Sequence, residues 1–194
     1  MTKTLALVIW FAGIVGWCAI RQPYVRRSKK TAVRKSLVDL REWILLGLAA
    51  AGLFLLPALY AVTGFPGAFE RPFVPMVAWL GVAALAAAIW LFWRSHADLG
   101  GNWSASLKLR SSHDLITTGV YRLVRHPMYS SFLLLGLAQL LLLPNWFAGL
   151  AGVTGAGALY VFRVAREEQM MIELFGESYR SYMARTRRII PWLL

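Results

Sequence analysis

The sequence predicts an all-α integral membrane bundle of five transmembrane helices, from its composition, its apolar segments and the placement of its basic residues. Of its 194 residues, 58% are hydrophobic and 15% are charged, and the mean hydropathy is +0.55. Soluble domains carry about 25% charged residues, so the composition favours a bilayer as the main solvent. The formal net charge of +12 would suggest a nucleic-acid ligand in a soluble protein. No soluble basic domain is left once the apolar segments are removed, so we expect no nucleic-acid partner.

Four apolar segments come close to the roughly 20 residues that a helix needs to cross the hydrocarbon core. They are Thr4–Ile20, Trp43–Val62, Val74–Trp93 and Trp146–Phe162. A further segment, Tyr129–Leu143, has only 15 residues and is separated from the last span by Pro144-Asn145. The fourth and fifth helices are therefore predicted to form a helical hairpin, whose short arm tilts little or lies where the bilayer is thin.

The basic residues predict the orientation of the bundle. If the N-terminus is outside, segments 21–42, 94–128 and 163–194 face the cytoplasm and hold 19 of the 21 lysines and arginines. Only Lys3 and Arg71 then lie outside, as the positive-inside rule requires. The C-terminus is therefore predicted to be cytoplasmic. No small-x-small cleavage site follows the first apolar run, so we expect a retained span rather than a signal peptide.

The chain is predicted to form a single domain, residues 1–194, because it shows no repeat and no low-complexity linker. Its parts are three N-terminal spans (1–93), a cytosolic loop (94–128), the hairpin (129–162) and cytosolic C-terminal helices (163–194). There is no glycine-rich loop after a strand, so no Rossmann domain is expected.

The placement of cysteine and glycine residues limits which disulfides, metal sites and helix contacts we expect. Cys18 is the only cysteine, which leaves no intrachain disulfide framework and no cysteine metal cluster, and no metal site is expected. The last span carries Gly149, Gly152, Gly155 and Gly157. Small residues let membrane helices approach closely, so these glycines predict internal packing first and a homo-oligomer contact as the alternative.

Polar residues stand out where the fourth helix begins and where the fifth leaves the bilayer. Pro127 suits the first position of a helix, which puts His126 at the N-cap, where the helix dipole favours a neutral imidazole. The same position suits an anionic or polarisable ligand. Glu167 and Glu168 continue the last span close to the membrane surface, a depth at which ionisable groups usually serve a purpose. Gly176 is expected to end that helix.

Three stretches in the C-terminal half form a pattern that is specific when all occur together. They are Asp98-Leu99-Gly100-Gly101-Asn102-Trp103-Ser104; Gly119-Val120-Tyr121 through Arg125-His126-Pro127-Met128-Tyr129; and Arg166-Glu167-Glu168 through Phe175-Gly176-Glu177-Ser178-Tyr179. With the closing Tyr182, Thr186-Arg187-Arg188 and Ile190-Pro191, this pattern resembles the isoprenylcysteine carboxyl methyltransferase family. The superfamily also includes phospholipid methyltransferases. The resemblance covers about residues 94–194 in detail and the N-terminal half only as a number of spans.

The resemblance implies a methyltransferase that takes its methyl group from S-adenosylmethionine and transfers it to the carboxylate of a lipid-like, prenylcysteine-type acceptor. It implies a cytosolic cofactor pocket between the loop, the start of the fourth helix and the C-terminal helix. An acceptor of this kind would enter through a gap between spans. The positions that match the cofactor motif are Tyr121, His126, Pro127, Tyr129, Glu167 and Glu168, and Leu115 and Gly119 are expected to line the adenosine site.

A carboxylate acceptor is already ionised at neutral pH, so it needs a cationic or hydrogen-bonding guide rather than a strong base. The candidate guide is Arg163, with Asn102 and Trp103 at the mouth of the reaction site.

Three alternatives stay open at this point. A phospholipid amine acceptor would have to lose a proton first, for which His126 or Glu168 could serve. A membrane sterol-type reductase would bind NADPH, but its tail resembles an Arg-Asp helix with a Lys-Tyr-Gly element and a cysteine, which this chain lacks after Cys18. A non-enzymatic packing or lipid-binding protein would leave the clustered histidine and carboxylates without a role.

Overall fold

The computed structural model describes residues 1–29, 33–36, 39–102, 108–110 and 114–191, and these form a helical bundle with one small two-stranded sheet. The helices are α1 (Lys3–Lys29), α2 (Leu40–Ala50), α3 (Leu56–Thr63), α4 (Pro75–Leu99), α5 (Pro127–Leu142), α6 (Trp146–Phe175) and α7 (Glu177–Arg185). A π-helical turn, Ala51–Leu55, joins α2 to α3 into one continuous helical segment. Short 3-10 turns cover Gly67–Phe69, Gly100–Asn102 and Gly119–Arg122.

Four helical segments in the described part of the chain are long and apolar enough to cross a membrane, which makes this a multi-pass membrane protein. They are Lys3–Ser28, Leu40–Thr63, Pro75–Leu99 and Trp146–Phe175. Helix α5 is apolar but has 16 residues, a length of about 24 Å against a hydrocarbon core of about 30 Å. The structure therefore confirms four of the five predicted spans by length and leaves the fifth as a prediction.

The predicted all-α class is confirmed for the bundle, beside which the described residues form one pair of short strands. Strands β1 (Val33–Ser36) and β2 (Lys108–Arg110) pair antiparallel, with Ser36 opposite Lys108. Each strand is too short for its residue pattern to show a period of two, which is why sequence periodicity did not reveal the pair.

Helix ends differ from the predicted spans where polar residues continue the helical hydrogen bonding. Helix α4 runs to Leu99, six residues beyond Trp93, because Arg94 pairs with Asp98 one turn on, at 2.7 Å. Helix α1 likewise continues past Ile20 to Lys29. At the other end of the chain, α6 passes without a break through both predicted carboxylates and ends before Gly176, which has a φ of 54°. The prediction for that terminus is confirmed.

The apolar core is made mainly by α1, α4 and α5. Trp17 and Phe92 are both 1% exposed, and their rings stack with centroids 3.6 Å apart. Phe132 of α5 contacts both rings. This aromatic group fixes α5 against α4, and so fixes the position at which the α5 N-terminus emerges.

The α5–α6 hairpin is closed by a turn that the sequence predicted at Pro144-Asn145. Asn145 caps α6 by accepting from the Ala148 N–H at 2.9 Å and donates to the Pro66 carbonyl at 2.9 Å. Arg71 donates to the carbonyl of Leu140 at the end of α5. The turn is thus fixed to the loop between α3 and α4. This contact also fixes the position of α5 and α6 along each other.

The glycines of α6 are used inside the bundle. A side chain on Gly149 would contact Leu140, one on Gly152 would contact Gln139, and one on Gly155 would contact the Leu48 carbonyl. The internal packing predicted for them is confirmed for these three, while Gly157 has open space around it. A homo-oligomer contact through this span stays a prediction.

We predict opposite effects for two glycines of the same helical segment. A Cβ at Gly52 would overlap the Ala151 backbone carbonyl of α6, whereas one at Gly47 would meet nothing within 4 Å. Gly52→Ala should therefore destabilise the bundle by about 1–3 kcal/mol through overpacking. Gly47→Ala should be neutral or slightly stabilising, because alanine restricts the unfolded chain. Thermal unfolding in detergent measures both, and equal melting temperatures for the two variants would contradict the close α2–α6 approach.

Candidate functional site

The C-terminal tail and the start of α5 are joined by backbone hydrogen bonds at one end of the bundle. The Arg125 N–H donates to the Arg187 carbonyl at 2.7 Å, and the His126 N–H donates to the Arg188 carbonyl at 2.9 Å. Val124 and Arg187 form a parallel bridge beside them. The extended tail therefore lies directly against the residues that lead into α5. Because the tail follows α6 and α7 in the chain, it also holds these helices near the start of α5.

A buried carboxylate stands at the centre of this junction. Glu168 is 4% exposed, and its oxygens lie 3.0 Å from an Arg125 nitrogen, 2.7 Å from an Arg188 nitrogen and 3.3 Å from His126 Nε2. Arg125 also donates to the carbonyls of Met183 and Thr186. With two guanidinium groups in contact, Glu168 is held ionised, because an opposite charge within about 4 Å favours the charged form.

His126 takes the position that the sequence predicted for it. It is the N-cap of α5, with Pro127 in the first turn, and its side chain makes no capping hydrogen bond. The ring instead turns to Glu168. Since that carboxylate only accepts, Nε2 is the nitrogen that carries the proton, an arrangement that a neutral imidazole satisfies.

The neighbouring carboxylate belongs to a second network. The Tyr129 hydroxyl donates to Glu167 Oε2 at 2.8 Å, and the guanidinium of Arg163 lies 6.0 Å from the centre of the Tyr129 ring. Among the described residues, Glu167 Oε1 has no hydrogen-bond partner, and the side chain is only partly buried. One carboxylate oxygen is therefore left for a ligand.

Arg163 is paired with a residue that the sequence analysis missed. Its Nε lies 3.1 Å from Glu42 Oε1, in ion-pair contact but at an angle outside that of a hydrogen bond. The Glu42 side chain is 1% exposed and comes from α2, more than a hundred residues away in the chain. A carboxylate at the start of an apolar span was the available signal, because ionised groups at such positions need a partner.

A third group positions the turn Gly119–Arg122. Asp98 accepts from the Val120 N–H at 2.9 Å, and a side chain at Gly119, whose φ is 61°, would overlap the Asp98 carboxylate. Tyr121 donates to the Ser95 carbonyl at 3.3 Å. The turn is thus fixed to the end of α4, and Asp98 is a further residue whose role the sequence analysis did not identify.

Buried tyrosines connect this turn to α7. The Tyr182 hydroxyl donates to the Tyr121 carbonyl at 2.6 Å. Burial raises the pKa of Tyr182 to about 12, and burial also raises the pKa of Tyr121 and of Tyr179. All three hydroxyls are therefore protonated at neutral pH, and those of Tyr121 and Tyr182 donate the hydrogen bonds described above.

The structure brings most of the predicted site residues together, but not all. His126, Pro127 and Tyr129 at the start of α5 meet Arg163, Glu167 and Glu168 of α6 through the contacts above. Gly119 and Tyr121 form the neighbouring turn, and Leu115 is half-buried in the irregular stretch before it. Only the backbone of Asn102 is described, in the turn Gly100–Asn102, and Trp103 lies outside the described residues.

We predict that Glu42→Gln destabilises the protein by about 3–5 kcal/mol, because it leaves the mostly buried Arg163 without its counter-charge. The double variant Glu42→Gln/Arg163→Gln should recover much of that loss. The matched control is Asp39→Asn, which removes a more exposed ion pair with Arg166 but keeps an oxygen to cap α2. It should change the melting temperature little, because an exposed ion pair contributes little to stability. Melting temperatures measure all three, and equal losses for Glu42→Gln and Asp39→Asn would contradict a buried pair.

We predict a pH effect for Tyr182. Its pKa is raised by burial from 10.0 to about 12, so the stability it contributes is full below pH 10 and is lost as the pH rises to about 12. Tyr182→Phe should lose about 1 kcal/mol near neutral pH, from the missing hydrogen bond to the Tyr121 carbonyl. Its melting temperature should then fall less steeply than that of the wild type between pH 10 and 12. Parallel curves over that interval would show that Tyr182 is not buried.

Comparison with known proteins finds a match to one family and several similar methyltransferases. Residues 79–173 match the sequence model of the isoprenylcysteine carboxyl methyltransferase family. Protein-S-isoprenylcysteine O-methyltransferase B of Arabidopsis thaliana is 29% identical over 96 residues, which are 48% of this chain and 49% of that protein. The corresponding Schizosaccharomyces pombe enzyme is 32% identical over 84 residues, 43% of this chain and 36% of its own. Methanethiol S-methyltransferase of Pseudomonas deceptionensis is 30% identical over 128 residues, 59% of this chain and 47% of its own.

The matched segment contains α5, most of α6 and the turn fixed to Asp98, and with them all of the predicted site residues, whereas Glu42, Tyr182 and Arg188 lie outside it. The chain spans about half the length, or less, of these curated relatives. Residues 79–173, just under half of the chain, therefore match the isoprenylcysteine carboxyl methyltransferase family, and two of the similar proteins carry the name of that enzyme.

Proposed function

We propose that this chain is an S-adenosylmethionine-dependent methyltransferase of the membrane, acting on a lipophilic acceptor. The observation that carries the proposal is the pair of networks around Glu167 and Glu168, which lie within the segment matched by the family model. They place a partly open carboxylate, a histidine and a buried tyrosine at the end of a membrane bundle, where an acceptor from the bilayer and a soluble cofactor can meet.

The residues present fit such a cofactor. S-adenosylmethionine, when bound, would supply an electrophilic methyl group on a sulfonium ion. Glu167 has an oxygen without a described protein partner, and a carboxylate oxygen is a suitable acceptor for ribose hydroxyl or ammonium groups. Tyr129 fixes the other oxygen, so the carboxylate is oriented before a ligand arrives. Leu115, Gly119, Tyr121, His126, Pro127 and Glu168 complete the proposed cofactor-binding set.

Positioning is the main task of the protein in a methyl transfer. The reaction is an in-line displacement, and alignment of two reactants can supply roughly 7–11 kcal/mol of the barrier. In our proposal Arg163 guides the acceptor, and Asn102 and Trp103 stand at the mouth of the site. Arg163 is held by Glu42 and by the Tyr129 ring, so its guanidinium has a defined orientation.

The contacts of Arg163 and the names of the relatives point to two classes of methyl acceptor. The relatives named as isoprenylcysteine O-methyltransferases favour the carboxylate of a prenylcysteine-type acceptor. A neutral thiol acceptor is the second candidate, for a specific reason. The charge of Arg163 is already balanced by Glu42, and one relative is named as a methanethiol S-methyltransferase.

The proposed topology has five spans, with α5 as the short fourth crossing and α6 as the fifth. The N-terminus is outside, and the C-terminus, residues 163–194, is cytoplasmic. The distribution of Lys and Arg supports this orientation, since 19 of 21 lie in the segments assigned to the inside.

We predict that S-adenosylhomocysteine raises the melting temperature of the purified protein in detergent and that NADPH does not. Glu167→Gln and His126→Ala should weaken the affinity for S-adenosylhomocysteine by about tenfold or more in calorimetry, as expected for the loss of a hydrogen bond to a charged group. The control is Glu177→Gln, an exposed carboxylate of α7 that should leave the affinity unchanged. Stabilisation by NADPH alone would overturn the methyltransferase proposal, and wild-type affinity in both site variants would overturn the proposed residues.

The acceptor is identified by radiolabelled methyl transfer. Farnesylcysteine analogues, lipid extracts and a short alkanethiol are offered in parallel with the same labelled donor. Label on the farnesylcysteine carboxylate supports the first candidate, label on the thiol supports the second, and label on a lipid amine would overturn both.

A further inference from the structure

Five arginines lie close together near the tail, and the structure divides them into two groups. Arg125 and Arg188 point inward and neutralise Glu168. The other three, Arg122, Arg185 and Arg187, line a separate cavity of about 300 Å³ together with Leu123, Ala184 and Pro191. This cavity shares no lining residue with the proposed methyltransferase site.

The division follows from the extended backbone of the tail. Residues 187 and 188 lie beside Val124–His126 in a strand-like pairing. Successive side chains of an extended chain point to opposite faces. Arg188 therefore reaches Glu168 on the inner face, and Arg187 reaches the cavity on the outer face.

The cavity is positively charged and lacks a compensating acid. Within residues 114–191, the side chains of Arg122 and Arg187 make no hydrogen bond or ion pair, and Arg185 donates only to the Ser181 carbonyl of its own helix. Arginine presents a planar fork of donors that matches phosphate oxygens, and three forks on one cavity make a strong site for such an anion.

The surroundings of the cavity fit the surface of a bilayer. Leu123, which lines it, is 52% exposed, and Ile190, next to the lining Pro191, is 44% exposed. Exposed apolar side chains beside basic ones are typical of a segment that lies in the headgroup region. Anionic lipid headgroups at such a surface attract basic residues.

We propose that this cavity binds a phosphate group, such as that of an anionic phospholipid headgroup. Arg122, Arg185 and Arg187 bind the phosphate oxygens, while Leu123 and Ile190 contact the acyl region. The proposal does not depend on the methyltransferase activity, because none of these side chains belongs to the proposed cofactor or acceptor residues.

The test is a thermal-shift titration of the purified full chain in detergent with three probes. They are dioleoylphosphatidylglycerol, dioleoylphosphatidylcholine and inorganic phosphate. Phosphatidylglycerol should stabilise the wild type at lower concentration than phosphatidylcholine. In Arg122→Gln/Arg187→Gln, the concentration that gives half of the maximal shift should rise about tenfold or more, because charge-assisted hydrogen bonds are lost.

Two further variants make the result specific. Arg185→Gln should weaken the phosphatidylglycerol effect in the same direction. Arg180→Gln, on the same helix but outside the cavity lining, should leave it unchanged. The variants should have wild-type melting temperatures without lipid, since Arg122, Arg185 and Arg187 are exposed.

Each outcome of the titration supports or overturns the proposed phosphate site. An arginine-dependent shift with phosphatidylglycerol supports a lipid headgroup site, and an arginine-dependent shift with inorganic phosphate of equal midpoint supports a site for a soluble phosphate anion. Equal midpoints in the wild type and in Arg122→Gln/Arg187→Gln would overturn the proposal. So would the absence of any shift with phosphatidylglycerol and with inorganic phosphate.

Discussion

The buried carboxylate of Glu168 is the constraint on which the arrangement of the site depends. A charge that is 4% exposed is tolerated only if partners replace its water, and removing one partner of such a group costs about 3–5 kcal/mol. The partners come from two other parts of the chain, Arg125 and His126 before and at the start of α5, and Arg188 from the tail. Neither part can move away from α6 without leaving the carboxylate uncompensated. The relative positions of Tyr129, on the first turn of α5, and Glu167, on α6, are fixed by the same requirement.

Adjacent positions on one helix thereby acquire different tasks. Residues 167 and 168 are separated by about 100° around the helix, since an α-helix has 3.6 residues per turn. Glu168 faces three protein side chains, whereas Glu167 faces the Tyr129 hydroxyl with one oxygen and keeps the other. In the function we propose, both belong to the cofactor-binding set: Glu167 offers its open oxygen, and Glu168 also holds Arg125, His126 and Arg188 in place. Both residues belong to the sequence pattern, and their separate contributions become visible only from their contacts.

Local sequence patterns predicted the spans and helix ends, because these depend on residues that are close together in the chain. The apolar lengths predicted the spans, Pro127 predicted the start of α5 with His126 as its N-cap, and Gly176 predicted the end of α6, because each depends on neighbouring residues alone. The partnership of Glu42 with Arg163 was not predictable in this way. It joins helices whose relative rotation and depth are set by the α2–α6 contact at Gly52, which no local pattern contains. Likewise no local pattern pairs residues 33–36 with 108–110, or Asp98 with the turn at Gly119.

The tail shows how one short segment can serve both the interior and the membrane surface. A single buried carboxylate in contact with two arginines leaves a positive excess on the side from which they come. Burying a further arginine there would require another acid, so Arg122, Arg185 and Arg187 are placed on the opposite, exposed face. Alternation along the extended chain achieves this without any additional structure. The contact that fixes the tail to α6 therefore also determines which face of the tail is basic. The anion proposed to bind that face would thus contact the same extended segment that keeps Arg188 on Glu168.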